Sequence, residues 1–226
     1  MKQRSIHKII SVIFQGKEYQ MRILLLGATG RVGSKIMEHA LIDGHYVHVL
    51  VRNPDKLLVK SDLLTISVGD ARSLTDLQFA ARETDVVISC LSTDGANVLS
   101  TSVPLIIEVM NNQHIRRIIV VSTAGILQSR ASSQLLRYET SESRHSSIRA
   151  VTEHRRVWEA LRMSDLEWTL VCPTYLPQGP RVGTYRTEVN YLPIEGTSIS
   201  VGDTAYFTYQ QLFTDLYTHQ RVGIAY

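Results

Sequence analysis

Short apolar runs alternate with amphipathic stretches along the chain from Met21 onward. Runs that are apolar on both faces are typical of strands in a parallel sheet that helices cover on both sides. Strands separated by helices of this length predict right-handed βαβ units and one doubly wound parallel sheet, an α/β fold of the Rossmann type. We predict strands at 23–26, 46–52, 64–68, 85–91, 117–122 and 168–172, and helices at 31–42, 54–59, 74–82, 103–112 and 148–163.

The two ends of the chain are less regular. Residues 1–20 do not share the alternation, and we interpret them as an appendage to a single domain over 21–226, with a short extra helix or strand as the alternative. Beyond Pro180 we expect a small substrate-side extension. It would consist of a β pair (185–192 with 198–201), a helix at 203–218 and a final strand near Ile224.

Three glycines spaced three apart follow the first predicted strand. Gly27 and Gly30 would let the backbone turn sharply and approach a ligand, and Gly33 would permit close packing of helix on strand. Free N–H groups at the helix start would then bind a pyrophosphate. An ordinary strand-to-helix turn is the alternative, but the βα context favours a dinucleotide site. Cofactor contacts are expected here from Gly27, Thr29, Gly30, Arg31, Val32 and Gly33.

Ligands of doubly wound sheets bind outside the carboxyl ends of the strands, so the residues that follow each strand are candidates for the site. Arg52 ends the second strand, at a position where NAD-preferring sites carry an acidic residue for the ribose. A guanidinium can instead grip a 2′-phosphate, which favours NADPH over NADH. A solvated arginine without a ligand is the alternative.

Polar residues also follow the next three strands. Asp70 would bring a carboxylate near the adenine, with an N-cap role for the next helix as the alternative. The Thr123 hydroxyl is both a cofactor contact and a candidate catalytic group. Further cofactor contacts are expected from Ala71, from Leu91 and Ser92 on the pyrophosphate side, and from Ser122 beside the nicotinamide.

Composition and charge exclude several classes of function. The formal net charge of +3 is small and the pI of about 8.9 comes from scattered arginines, so we expect no nucleic-acid partner. No apolar run approaches membrane-spanning length, so we expect no membrane association. Cys90 and Cys172 lie in apolar runs, which suits buried thiols in a reducing cytoplasm. The sequence contains no metal-ligand cluster, nucleophile elbow or phosphate-loop lysine motif, so no metal is expected.

These motifs together resemble the atypical short-chain dehydrogenases of the NmrA type. The resemblance implies a Rossmann-type fold that binds NADP(H) over residues 21–226. In its length and in the order of its elements, the chain most resembles one branch of this family, the NADPH-dependent flavin reductases of the biliverdin reductase B type. The family also contains regulators that bind NADP(H) without turning it over. The similar segments are Gly27-x-x-Gly30-x-x-Gly33, Val51-Arg52-Asn53-Pro54, Gly69-Asp70, Ser122-Thr123-Ala124 and the stretch 153–173.

The chain lacks the catalytic pair of ordinary short-chain dehydrogenases. Those enzymes carry a tyrosine with a lysine four residues later, whereas Lys60 is the last lysine here. His154 is the best substitute because its helical face would point toward the sheet, with a surface or core histidine as the alternative. The resemblance maps the family's active-site loop onto Pro173, Thr174 and Tyr175. Tyr175 replaces a proposed catalytic histidine and would instead form one wall of an aromatic slot.

A long polar loop at 125–147 follows the strand nearest the expected nicotinamide. Its arginines Arg130, Arg137 and Arg144 would meet an acidic acceptor, with solvated surface as the alternative. The sequence therefore favours a cytoplasmic NADPH-dependent reductase, monomeric or weakly dimeric, whose small-molecule acceptor is a flat conjugated flavin, quinone or tetrapyrrole. A non-catalytic NADP(H) sensor that binds a protein partner, and an epimerase-like enzyme, are the alternatives.

Overall fold

The fold is organised around one central sheet. A computed structural model describes residues 20–93, 96–143 and 148–226. Over these residues, eight strands follow the order β3-β2-β1-β4-β5-β6-β8-β7, and every neighbouring pair is parallel except β7 with β8. The predicted doubly wound α/β fold is therefore confirmed. The strands are β1 (Arg22–Leu26), β2 (Tyr46–Val51), β3 (Leu64–Val68), β4 (Val86–Ser89), β5 (Arg117–Val121), β6 (Glu167–Pro173), β7 (Arg186–Val189) and β8 (Gln220–Ala225).

Helices cover both faces of this sheet and enclose two apolar cores. The α-helices of the described residues are α1 (Arg31–Ile42), α2 (Leu74–Ala80), α3 (Val98–Asn112), α4 (Ile148–Arg162) and α5 (Val201–Gln210). One core lies under α1 and α5, and the other lies under α2, α3 and α4. Ile23 and Leu25 face the first core, whereas Leu24 and Leu26 face the second. This alternation explains why β1 is apolar at successive positions.

Two predicted helices have different bounds in the structure. The helix expected at 54–59 is only a 3₁₀ turn, Pro54–Lys56, which Asn53 caps by accepting a hydrogen bond from the Asp55 amide. The helix expected at 103–112 already begins at Val98, so Pro104 lies inside it rather than at its start. The first turn of the longer helix buries Val98 and Leu99, which extends it beyond the predicted start.

The C-terminal segment departs further from the prediction. Strand β7 pairs with β8 and not with 198–201, of which Ser198 forms an isolated bridge with Tyr175. Gly223 permits this arrangement, because a Cβ there would lie 2.1 Å from the Tyr191 carbonyl oxygen. Helix α5 begins at Val201, with Ser200 as its N-cap, and ends at Gln210 rather than at residue 218.

Two interpretations fall outside the described residues. Of the segment 1–20, only Gln20 is described, and Arg144 also lies outside the described ranges. Among the residues that are described, no helix has the length and apolar character needed to cross a membrane.

Candidate functional site

The order of the strands reverses at β1. This strand pairs with β2 on one side and with β4 on the other. In doubly wound sheets, the carboxyl ends of the strands at such a reversal flank the crevice in which ligands bind. Gly27 directly follows β1, and Cys90 directly follows β4, so these two residues flank the crevice.

The three glycines of the predicted motif have different roles. A Cβ on Gly27, whose φ is +80°, would lie 2.4 Å from the Cys90 carbonyl oxygen, and a Cβ on Gly33 would lie 2.3 Å from the Gly27 carbonyl oxygen. Both positions therefore require glycine for the fold itself. A Cβ on Gly30 would lie 3.2 Å from the same oxygen, which is tight but within reach of a small shift. The fold itself therefore needs glycine less at position 30 than at positions 27 and 33.

Helix α1 begins directly after Gly30 and leaves its first N–H groups available. Gly30 contributes no side-chain cap, and the first turn contains no acidic residue. Thr29, Gly30 and Arg31 are exposed, whereas Val32 is buried in the core under α1 and α5. Arg31 Nη1 donates a hydrogen bond to the Leu176 carbonyl oxygen at 2.8 Å, which ties the loop after β6 to this site. The open helix start fits a pyrophosphate.

Asp70 lies between arginines at the ends of β2 and β3. Arg72 donates to its carboxylate through Nε, at 3.0 Å from Oδ1, and through Nη2, at 2.5 Å from Oδ2. The hydrogen bond from Arg72 and, more weakly, the charge of Arg52 lower the pKa of Asp70 to about 2. The structure thus brings Arg52 and Asp70 together. The sequence analysis did not predict the contact of Arg72 with Asp70, although a basic residue two positions after an aspartate could have indicated it.

The N-cap alternative for Asp70 is wrong. Ser73 caps α2 by accepting a hydrogen bond from the Asp76 amide at 3.3 Å. Ala71 is buried, Leu91 packs against the core under α2, α3 and α4, and Ser92 is exposed. The roles of these residues in cofactor binding stay predictions.

Ser122 and His154 meet at the carboxyl end of β5. Ser122 is buried, and its Oγ lies 3.3 Å from His154 Nδ1. Burial lowers the pKa of His154 to about 4, so the imidazole is neutral at pH 7. The Thr123 side chain does not join this pair, because its Oγ1 accepts a hydrogen bond from the Gly125 amide at 3.3 Å and caps a 3₁₀ turn.

A buried carboxylate holds the helix that carries His154. Glu153 is 3% exposed and accepts hydrogen bonds from the Ser100 amide and from Arg156 Nη1, both at 2.9 Å. Burial alone would raise the pKa of Glu153, but these hydrogen bonds outweigh it and hold the pKa below its usual range. The Ser100 contact links α4 to α3. No sequence signal distinguishes this glutamate from a solvent-exposed one, so its role was missed.

The loop after β6 lies beside the start of α1. Pro173 is buried at the end of β6, and Thr174 is half-buried. Tyr175 is 72% exposed, and its carbonyl oxygen accepts a hydrogen bond from the Ile199 amide at 2.9 Å. Its main chain is therefore fixed while its ring faces solvent.

The two described arginines of the 125–147 loop already have carboxylate partners. Arg137 Nη1 lies 3.0 Å from Glu142 Oε2, and Arg130 Nη2 lies 2.5 Å from Glu188 Oε2. Arg130 is nevertheless exposed, so the alternative of a solvated surface stays open for it. Contact with an acidic acceptor stays a prediction.

A family profile described as NAD(P)H-binding matches residues 27–215, which is most of the chain. The chain belongs to this family. The resemblance to NmrA-like atypical short-chain dehydrogenases is confirmed, whereas closeness to the biliverdin reductase B branch stays a prediction.

Solved structures of similar proteins share the fold. A candidate epimerase from Bacteroides thetaiotaomicron is 26% identical with a TM-score of 0.80, over 92% of this chain and 97% of that one. A candidate NADH-flavin reductase from Streptococcus pneumoniae is 24% identical with a TM-score of 0.75, over 91% and 99%. A wide-type short-chain dehydrogenase/reductase from Veillonella parvula, in complex with NADP, is 20% identical with a TM-score of 0.71, over 91% and 94%. The last two likenesses show the fold alone.

The NAD(P)H-binding family accounts for the backbone features of the crevice. Gly27 to Gly33 and the start of α1 match what a dinucleotide pyrophosphate requires. Within the described ranges 20–93, 96–143 and 148–226, no group of histidine, cysteine and acidic side chains is arranged to hold a metal ion.

Proposed function

We propose that this chain is an NADPH-dependent reductase that delivers hydride to a flat conjugated acceptor such as a flavin, a quinone or a tetrapyrrole. The observation that carries the proposal is the neutral His154 imidazole beside Ser122 at the end of β5. An imidazole with a pKa of about 4 is a poor source of protons at pH 7. An acceptor that spreads incoming charge over a conjugated ring can take its proton from water instead.

The chain offers distinct groups for the parts of the nucleotide. The N–H groups at the start of α1 would hold the pyrophosphate, and Gly30 keeps their approach open. Arg52 would bind the 2′-phosphate, which an NADH molecule lacks. Ser122 and Thr123, which follow β5, would lie beside the nicotinamide. When bound, NADPH supplies the hydride from C4 of this ring.

Positioning by the chain would then supply most of the rate. Holding two reacting groups in the correct geometry can lower a barrier by about 7 to 11 kcal/mol. A side-chain general acid would add about 10² to 10⁴ in rate, and the Tyr and Lys pair that provides it in related enzymes is missing here. The exposed Tyr175 ring would contribute a flat surface for the acceptor.

A turnover assay tests this proposal. NADPH would be mixed with the protein and with FMN, menadione or an aliphatic aldehyde, while the near-ultraviolet absorbance of the cofactor is followed. We expect oxidation with the flavin or the quinone and none with the aldehyde, whose alkoxide needs a proton donor. Tight NADPH binding without oxidation by any acceptor would contradict the proposal and favour a sensor that signals to a protein partner.

The similarity to a candidate epimerase motivates one further arm of this assay. An epimerase uses its nucleotide without net consumption, so cofactor absorbance would return to its starting value. Incubation with a nucleotide sugar, followed by separation of the sugar epimers, distinguishes this activity from reduction. Epimerised product without lasting NADPH oxidation would overturn the reductase proposal.

A further inference from the structure

A cavity of about 670 Å³ opens at the amino edge of the sheet, opposite the dinucleotide crevice. It lies between the C-terminal end of α4 and the starts of β5, β6 and β8, where Arg162, Arg116, Trp168 and Gln220 line it. Strand β6 has seven residues, which corresponds to about 20 Å between its two ends at about 3.3 Å per residue. Arg116 and Arg162 therefore lie at the opposite edge from the crevice, whereas Arg221 reaches back along the sheet to the Ile126 carbonyl oxygen.

Arginine and tryptophan side chains dominate the walls of this cavity. The Arg221 guanidinium carbon lies 3.9 Å from the centre of the Trp158 ring, and that of Arg162 lies 5.2 Å from the same centre. Trp168 is buried and packs edge-on against His219. Both guanidinium groups therefore contact the same ring.

Arg221 is a buried cation whose hydrogen bonds go to neutral groups. It is 6% exposed, and it donates to the Ile126 carbonyl oxygen and, at 3.3 Å, to Asn190 Oδ1. Among the described residues, neither Arg221 nor Arg162 forms an ion pair with a carboxylate. Burial and then the like charge of Arg162 lower the pKa of Arg221. A buried charge without a counter-charge is costly, so this arrangement favours a bound anion.

The other charged groups at the cavity leave the excess positive. Arg116 Nε lies 4.0 Å from Glu167 Oε1, a long contact between exposed side chains. Asp165 contributes one carboxylate to the lining, against three guanidinium groups. His219 Nε2 lies 3.0 Å from the Leu166 carbonyl oxygen. The lining therefore carries more cationic than anionic side chains, and among its arginines Arg162 is exposed.

We propose that this cavity is a second ligand site, for a small anion that carries phosphate or carboxylate oxygens. The exposed Arg162 would bind these oxygens, because a planar guanidinium binds them through paired hydrogen bonds, and the buried charge of Arg221 would add to the attraction. The volume lies within the range of about 300 to 1,000 Å³ that is usual for small-molecule sites. The exposed wall of the site lies at the amino ends of the strands, so the proposal does not rest on the proposed reductase activity.

The tryptophans of this chain make the site directly observable. The sequence contains only two, Trp158 and Trp168, and both line the cavity. We would titrate the full chain with inorganic phosphate and, separately, with succinate, and follow tryptophan fluorescence against sodium chloride at matched ionic strength. A saturable change with phosphate, succinate or both is expected. Binding of phosphate or of succinate shows whether the site prefers phosphate or carboxylate oxygens.

Arg162→Gln is the decisive variant because this side chain is exposed and its loss leaves the core intact. We expect it to weaken anion binding at least about tenfold, by removing one charge-assisted contact. Arg82→Gln is the matched control, since Arg82 is also exposed and lies 5.0 Å from the centre of the Phe79 ring. It changes the net charge equally and should leave the affinity unchanged, as should Arg52→Ala at the nucleotide edge.

Two results would overturn the proposal. One is the absence of any saturable fluorescence change beyond that of sodium chloride with both probes. The other is an affinity that Arg162→Gln lowers no more than Arg82→Gln does, which would show that Arg162 makes no specific contact with the anion. Because Arg162 contacts Trp158 and so alters the starting fluorescence, the comparison uses dissociation constants and not signal amplitudes.

Discussion

The two edges of the sheet present different chemistry to a ligand. At the carboxyl edge, the site depends mainly on the backbone: Gly27 allows a close approach to Cys90, and α1 begins without an acidic residue. At the amino edge, the cavity depends on side chains, namely Arg162, Arg221 and Trp158. Both arrangements suit an anion, but the first would use N–H groups and a helix dipole while the second would use full charges.

This difference decides how each site responds to change. A backbone site is sensitive to any side chain that blocks the approach, and it tolerates the loss of distant charges. A guanidinium site is sensitive to the removal of single charges and to salt. Substitutions at one edge should therefore leave the other edge unaffected, which makes each a control for the other.

Gly30→Val should have the largest effect. A valine here would occupy the place of the pyrophosphate, whereas the fold has room after a small shift because the Cβ would lie 3.2 Å from the Gly27 carbonyl oxygen. We expect NADPH affinity to fall by at least about 100-fold, about 2.7 kcal/mol, in an isothermal titration. Circular dichroism and the amino-edge fluorescence titration should match the parent chain. Retained affinity would contradict the placement of the nucleotide.

Arg52→Ala should have the next largest effect. If Arg52 binds the 2′-phosphate, the parent chain should bind NADPH at least about tenfold more tightly than NADH, about 1.4 kcal/mol. The variant should lose most of this preference, since NADH offers Arg52 no phosphate. Both affinities would be measured by titration, with Arg82→Gln as the charge-matched control. Equal affinities in the parent chain would show that the preference does not exist.

The sequence predicted the first half of the fold better than the second. Helix α1 and strand β3 have their predicted bounds, because short apolar runs and the glycines define them locally. The pairing of β7 with β8 could not be predicted from local patterns. It depends on the close approach of the Gly223 backbone to the Tyr191 carbonyl oxygen, which are far apart in the sequence. Tertiary contacts of this kind leave no local pattern.

The candidate sites also combine features that a local sequence pattern predicts with features that depend on tertiary contacts. The glycine motif is continuous in sequence, and the helical face of His154 indicated its approach to the sheet, where Ser122 lies 3.3 Å away. Glu153 and Arg72 act through contacts that no periodicity reveals. The amino-edge cavity was also missed, because its arginines come from different elements, with Arg162 on α4 and Arg221 on β8.

His154→Gln tests the neutral imidazole through stability. The folded pKa of about 4 lies below the usual histidine pKa of 6.5, so the unfolded chain binds more protons between these values. The stability contributed by the neutral form is complete above about pH 6.5 and is lost as the pH falls toward 4, by at most about 3 kcal/mol. Urea unfolding at pH 4.5 and 7.5 should therefore show a smaller difference for the variant. An unchanged difference would contradict the burial of an uncharged imidazole.

The same variant should slow flavin or quinone reduction by less than about tenfold, because the proposed mechanism needs no proton from His154. Gln was chosen because it can retain a hydrogen bond to Ser122. A loss of about a thousandfold in kcat would show that the imidazole acts as a general acid or base, and the proposed mechanism would be wrong.

Tyr175→Phe should have the smallest effect. The hydroxyl is removed while the flat ring, which is 72% exposed and held by the main-chain contact to Ile199, is kept. If the ring serves only as a surface for the acceptor, kcat should change by less than about tenfold, below the about 10² to 10⁴ that a general acid is worth. Tyr175→Ala is the matched variant, and it should raise KM for the acceptor more than it lowers kcat. If Tyr175→Phe instead costs about a thousandfold, the hydroxyl donates the proton, and the carboxyl edge would depend on a side chain as the amino edge does.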